Sequence, residues 1–345
     1  MAKSPFLKNT WYAALLSSDL SEDLFSRRIL DIPILFYRNQ DGAPIAMHDR
    51  CPHRFAPLSM GKKQDNCVVC PYHGLKFDES GKCVENPHGS GQISEKAKVR
   101  SFPLIERHGF IWIWMGDLPA DESALNRHDQ LDKGHPNGIA HTYMHRQCNY
   151  ELITDNVMDL SHVDHLHGEI ISTRGQLSPL IPNLVEKNGD ISVRWEYEQT
   201  PAILILDPFL PKPGIGGKHF IEVTWSKPSH IQLTIGATQD ENPILDYDHT
   251  VAQYDLHTCT PETENSTHYF FATRRNHLEE DADYNAMKIK AMHDAFEQED
   301  GPILDAIQGL METNDFLAMD PALISSDMGP IKVRRTLKKL IEAEQ

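Results

Sequence analysis

The chain has 345 residues, enough for two domains at about 150 residues each. Lys and Arg number 33 against 50 Asp and Glu, and the net charge of −17 argues against binding a phosphate backbone or an anionic membrane surface. Six cysteines are too few for a disulfide scaffold, whereas 19 histidines in so acidic a chain point first to metal.

No apolar run approaches the ~18 residues of a membrane span, and the first residues lack the apolar core of a signal peptide. The expectation is a soluble, cytoplasmic protein with neither nucleic acid nor membrane as a partner.

In chain order, the first third reads as β-rich, short apolar runs alternating with turn signals. Strands are expected at Ile29–Tyr37, Pro44–His48, Val68-Val69, Leu75–Phe77 and Phe110–Met115. Residues 117–140 are polar, carry Pro119, Gly134, Pro136 and Gly138, and form the candidate boundary between domains 1–130 and 131–345. A helix is expected over Tyr150–Leu160. Strands return at Ile191–Tyr197, His219–Trp225, Ile231–Ala237, Thr250–His257 and Thr267–Thr273. Tyr284–Thr313 carries the strongest helical stripe, through Met287, Met292, Phe296, Ile303, Ile307 and Leu310. The pattern is α+β: a small β domain, then a larger one whose sheet is flanked by helices.

Two constellations carry chemistry. The first is Cys51-Pro52-His53 followed, after sixteen intervening residues, by Cys70-Pro71-Tyr72-His73. A single tetrahedral zinc is one possible occupant. Each pair, however, mixes a thiolate with an imidazole, which suits a [2Fe–2S] centre with two Cys on one iron and two His on the other. Cys67, Cys83, Cys148 and Cys259 read as small strand residues.

The second is Asn156-Val157-Met158-Asp159-Leu160-Ser161-His162-Val163-Asp164-His165-Leu166-His167. A non-haem Fe(II) oxygenase needs two His and one carboxylate on one face of the metal. On a continuous helix His162 and His165 would share a face, while His162 and His167 would stand about 140° apart. Helical geometry alone therefore favours His165 over His167. Asp155, Asp159 and Asp164 read as capping or solvated carboxylates.

Cys51-Pro52-His53-Arg54 with Cys70-Pro71-Tyr72-His73-Gly74 resembles the Rieske signature, and Asn156, Asp159 and His162-x4-His167 resemble the iron motif of Rieske non-haem iron oxygenases. With Trp11-Tyr12, Gly109–Asp117 and His257–Thr263, the whole chain is similar to oxygenase components of the vanillate and dicamba O-demethylase type. The resemblance implies an all-β Rieske domain and a catalytic domain with a helix-capped antiparallel sheet of the helix-grip, START-like kind. It puts the cluster on Cys51, His53, Cys70 and His73, and Fe2+ on His162, His167 and a C-terminal carboxylate. That carboxylate falls on Asp300, with Glu297 and Glu299 as rivals, and Pro302 beside it would distort the helix.

The resemblance also gives Asn156 and Asp159 catalytic positions. Asp159 would hydrogen-bond His162 and reach His73 of an adjacent subunit in a homotrimer. His257 falls where the family contacts a substrate carboxylate, and beside such a group its imidazole is expected to be protonated. The implied activity uses O2 and NAD(P)H-derived electrons, delivered by a ferredoxin or flavin reductase, to hydroxylate a methyl group of a methoxylated aromatic acid and release formaldehyde. Another hydroxylation, N-demethylation or dihydroxylation of an aromatic or sulfonated substrate is the alternative; a pure electron carrier is the third reading.

Overall fold

The computed structural model describes residues 4–125, 128–168 and 171–345. By internal contacts, Lys8–Leu125 together with Pro261–Thr263 form one compact unit, and the remainder forms a second.

The first unit holds β1 (Trp11–Leu16), β2 (Phe25–Ile29), β3 (Ile32–Arg38), β4 (Pro44–His48), β5 (Lys62–Gln64), β6 (Cys67–Val69), β7 (Lys76–Phe77), β8 (Cys83–Glu85), β9 (Leu104–Arg107) and β10 (Phe110–Trp114). They make three antiparallel sheets, ordered β1-β10-β9, β2-β3-β4 and β5-β6-β7-β8. Every residue of β1 and β10 is buried, as continuous apolar runs require. The expected strand Ile29–Tyr37 is in fact two strands. Leu30 and Asp31 turn the chain at φ 51° and 63°, so the apolar run folds back as a hairpin instead of continuing. Leu35, Tyr37, Met47, Leu58, Val68 and Phe77 pack one core with Cys51 and Cys70 inside it.

The second unit is built on a seven-stranded antiparallel sheet. Its strands are β11 (Ile139–Arg146), β12 (Asn183–Lys187), β13 (Asp190–Gln199), β14 (Gly217–Ser226), β15 (His230–Thr238), β16 (Val251–Thr263) and β17 (Ser266–Arg275), in the order β11-β17-β16-β15-β14-β13-β12. Ile191, Val193, Trp195 and Tyr197 are buried at alternate positions of β13, the period that read as strand. Helices α1 (Tyr150–Met158), α2 (Ala282–Ala295), α3 (Gly301–Leu310) and α4 (Met328–Ala343) complete the unit. Helix α1 packs on α4 and β14, and α4 on β13. Arg334 of α4 pairs with Asp155 of α1 at 2.7 Å and with Glu151 at 3.3 Å. Asp155 is thus a half-buried ion-pair partner, not a solvated carboxylate. No helix among the described residues is long and apolar enough to cross a membrane.

The helix expected over 284–313 is interrupted. Phe296–Asp300 forms a π-helical turn between α2 and α3, with Pro302 in the first turn of α3. Such a bulge inserts one extra residue per turn and re-aims the side chains around it.

Candidate metal centres and catalytic cavity

In the first unit, two loops of the same construction present the cysteine–histidine pairs. In one, the Cys51 N–H donates to the Ala56 carbonyl at 2.9 Å and the Cys51 carbonyl accepts from the Phe55 N–H at 2.9 Å; in the other, Cys70 bonds Leu75 at 2.8 Å and Gly74 at 3.1 Å in the same way. Each loop needs a left-handed residue four places after its cysteine. Gly74 (φ 70°) supplies it without strain, whereas Phe55 (φ 63°) adopts it as a side-chain-bearing residue. Arg50 lies over the Phe55 ring, 3.9 Å from its centre.

The result is asymmetric. Cys51 and Cys70 are 1% and 3% exposed, while His53 is exposed and His73 half-buried, with ring centres 4.5 Å apart. Burial, together with the neighbouring Cys70 thiol, pushes the Cys51 thiol up to about 11, opposed by hydrogen bonds to its sulfur from the His53 and Arg54 N–H groups. Two buried thiols beside two surface imidazoles suit a cluster with an inner thiolate-held iron and an outer imidazole-held one. Of the other cysteines, Cys67, Cys83 and Cys259 lie in strands, whereas Cys148 falls between β11 and α1; all are free thiols.

In the second unit the chain leaves α1 at Asp159, whose φ of −121° and ψ of 94° are extended, and turns through a short 3-10 segment, Leu160–Asp164. The continuous helix on which the His162/His165 argument rested does not exist. His165 is exposed and bonds Ser178 at 3.0 Å. His162, His167 and Asp300 come together instead, with one potential ligand atom from each within 4.8 Å of the others. Nε2 of each imidazole lies 3.5 Å from Asp300 Oδ1. Asn156 donates to that same oxygen at 2.9 Å, and Asp300 Oδ2, although buried, has no hydrogen-bond partner among the described residues.

The opposite ring nitrogens are held from behind. His162 Nδ1 donates to the Asp159 backbone carbonyl at 2.6 Å, and His167 Nδ1 donates to Glu299 Oε2 at 2.6 Å. Both tautomers are thereby set to leave Nε2 lone pairs facing Asp300. Burial holds the His162 imidazole below its ordinary value, opposed by the Asp300 charge, which favours the neutral form that a metal needs. Two imidazoles converging on a carboxylate with an orphaned oxygen fit a divalent iron.

Two expectations change at Asp159 and at the helix rivals. Asp159 meets His162 through its main chain, not its carboxylate; Oδ1 instead caps the 3-10 turn by accepting from Ser161 N–H at 3.0 Å. Glu297 points to Arg146 at 2.7 Å, and Arg146 also pairs with Asp305 at 2.5 Å, clamping the π turn. A Cβ on Gly301 would stand 2.5 Å from the Arg146 guanidinium, so this close approach requires glycine. Glu299 is no direct rival of Asp300 but the group that orients His167. Only its position in the π turn reveals that role, because spacing alone left three carboxylates equivalent. Asp164 accepts hydrogen bonds from Thr173, Gly175 and Ser178, tying those three residues to the segment that carries the histidines.

Removing the carboxylate behind a ligand histidine typically weakens metal binding 10- to 100-fold. Glu299→Gln is therefore expected to raise the Fe2+ dissociation constant by about that factor while cluster absorbance stays unchanged. Anaerobic competition with a chromophoric chelator reads the change, and an unaltered constant would deny Glu299 this role.

Asn156 and His167 open onto a cavity whose walls are mostly apolar, among them Val157, Leu160, Ile221, Leu233, Ile235 and Phe296. His257 lines it from β16. Its Nδ1 lies 2.5 Å from the Tyr269 hydroxyl, and burial drives its imidazole down to about 3 in the ligand-free cavity; the protonation expected beside a substrate carboxylate concerns the bound state. Asp255 and Gln253 line the same strand face; neither was singled out by sequence, since polar residues in a strand ordinarily face water.

Residues 10–103 match the Rieske [2Fe-2S] domain model and residues 146–343 the vanillate O-demethylase oxygenase C-terminal domain model. The chain is 34% identical to the oxygenase component of dicamba O-demethylase from Stenotrophomonas maltophilia, over 98% of this chain and 99% of that one. It is 33% identical to the oxygenase component of chloroacetanilide N-alkylformylase from Rhizorhabdus wittichii, over 98% and 97%. A crystal structure of dicamba monooxygenase bound to 3,6-dichlorosalicylic acid superposes with a TM-score of 0.89, at 34% identity and 98% coverage of both chains. The chain belongs to the Rieske non-haem iron oxygenases, among the oxygenase components with a vanillate O-demethylase-type C-terminal domain. Its cofactors are those of that family, a Rieske [2Fe–2S] cluster and a mononuclear iron, with O2 as co-substrate.

Proposed function

We propose that this chain is the terminal oxygenase of a multicomponent O-demethylase, acting on the methyl group of a methoxylated aromatic. The relatives named for O-demethylation share its whole length, and the convergence of His162, His167 and Asp300 at the edge of an apolar cavity is the observation that carries the reading. In this reading Cys51, His53, Cys70 and His73 hold the cluster, and His162, His167 and Asp300 hold Fe2+. When bound, the two groups supply electron storage and the activation of O2 at open metal positions.

The residues contribute the rest. Asn156 restrains Asp300 Oδ1 through its amide, so that the carboxylate presents one fixed oxygen to the metal. The apolar walls hold an aromatic ring and exclude bulk water from the reacting methyl. Overall, one C–H bond becomes C–OH while O2 takes up two electrons and two protons, the second oxygen leaving as water. The product hemiacetal of a methoxyarene collapses to a phenol and formaldehyde.

The exposed His53 edge offers a route for electrons from a ferredoxin or flavin reductase fed by NAD(P)H. Asp159, with its carboxylate only half-buried, is suited to meet His73 of an adjacent subunit in a homotrimer. The absence of a spanning helix among the described residues is compatible with a cytoplasmic enzyme.

Turnover with a surrogate ferredoxin and reductase tests the reaction. Methoxylated aromatics are expected to give formaldehyde and phenol in equal amounts, with one O2 consumed per product. Dihydroxylated ring products without formaldehyde would overturn the assignment.

A further inference from the structure

Gln253, Asp255 and His257 occupy alternate positions of β16, so their side chains share one face of the sheet, and all three line the cavity. Each is at most 2% exposed. Gln253 Nε2 donates to Asp255 Oδ2 at 2.6 Å, and His257 Nδ1 pairs with the Tyr269 hydroxyl. Among the described residues one polar atom on each makes no hydrogen bond of good geometry, Gln253 Oε1, Asp255 Oδ1 and His257 Nε2, although the Thr273 hydroxyl lies beside the Asp255 carboxyl and opposes the rise in its pKa. Three orphaned polar atoms on one strand face, in a cavity otherwise mostly apolar, form a strip awaiting a polar group, because buried donors and acceptors are costly to leave unmade.

The chemistry of the strip can be read atom by atom. Gln253 Oε1 accepts only, and an ionised Asp255 oxygen accepts only. With the Tyr269 hydroxyl donating to His257 Nδ1, the imidazole proton sits on Nε2 and makes that atom a donor. Two acceptors beside one donor complement a group that carries N–H and C=O together. A carboxylate would instead set its oxygens against two acceptors. Lys288, itself buried, is the cation whose charge reaches Asp255 and favours its ionised, accepting form.

From this juxtaposition we infer that the cavity selects a neutral aromatic ether bearing an amide, with the amide N–H on Asp255 and Gln253 and its carbonyl on His257 Nε2. The inference rests on the O-demethylase reading for the methoxy end of the substrate and extends it to the opposite end. Asp255, Gln253 and His257 are then specificity-determining residues.

Calorimetric dissociation constants for 4-methoxybenzamide, 4-methoxybenzoate and anisole, measured anaerobically on the metal-loaded protein, test the proposal. The benzamide is expected to bind about ten- to a hundredfold more tightly than either of the others, the range of one hydrogen bond to a charged group. Asp255→Asn should erase most of the preference over benzoate. Gln253→Met, which leaves Asp255 and Lys288 in place, should weaken the benzamide and spare anisole even if the first variant fails to fold. Benzoate binding as tightly as benzamide, or an unchanged preference in Gln253→Met, would overturn the inference. Formaldehyde release is followed alongside. Formaldehyde without amide preference overturns the inference and leaves the reaction standing, and amide preference without formaldehyde does the reverse.

Discussion

His167→Ala is expected to lose the mononuclear iron and all hydroxylation while its [2Fe–2S] centre remains intact; His165→Ala should keep both. The asymmetry follows from the break at Asp159. With the helix ended, His162 and His167 converge on Asp300, and His165 turns out to Ser178. Loss of one of three protein ligands leaves a site that Fe2+ cannot hold at micromolar concentration. Iron and sulfide analysis of purified variants reads the result: two irons and two sulfides per chain in His167→Ala, three and two in His165→Ala. Iron lost from His165→Ala and kept by His167→Ala would reverse the ligand assignment.

The second large effect is expected at the cluster. His53 is the imidazole of the Cys51 loop, and its ring lies 4.5 Å from that of His73. His53→Ala removes an outer-iron ligand, so the visible absorption and the electron paramagnetic resonance of a reduced Rieske centre should vanish. Electron acceptance from a reductase should vanish with them. Because Cys51 and Cys70 sit in the core with Leu35, Met47 and Phe77, the unit is expected to stay folded, which circular dichroism checks. A surviving Rieske signal would show that His53 is not a ligand.

Much of this was legible in residue types and spacing. The C-x-H and C-x2-H pairs mark two loops of one construction, and period-two burial along β13 matches the alternation in its sequence. Helix α4 was not legible, because Met328-Gly329-Pro330 reads as a break, whereas proline in the first helical turn is harmless. The choice among Glu297, Glu299 and Asp300 was also closed to spacing. Adjacent carboxylates differ only by where a π turn aims them, and that turn depends on the Arg146 clamp from β11. The polar strip on β16 escaped for a related reason. Gln253 and Asp255 look like solvent-facing strand residues until the helices around the π turn cover that face.

The central claim is that electrons stored at Cys51/His53/Cys70/His73 are spent on a methyl group held beside His162/His167/Asp300. A single-turnover experiment tests it most directly: protein with its cluster reduced, freed of reductant, is mixed with O2 and 4-methoxybenzamide. The account predicts that the cluster re-oxidises as formaldehyde appears, and that protein carrying the cluster but depleted of mononuclear iron yields none. Formaldehyde formed equally well by the depleted protein, or re-oxidation of the complete protein with no formaldehyde from any methoxylated aromatic, would contradict it.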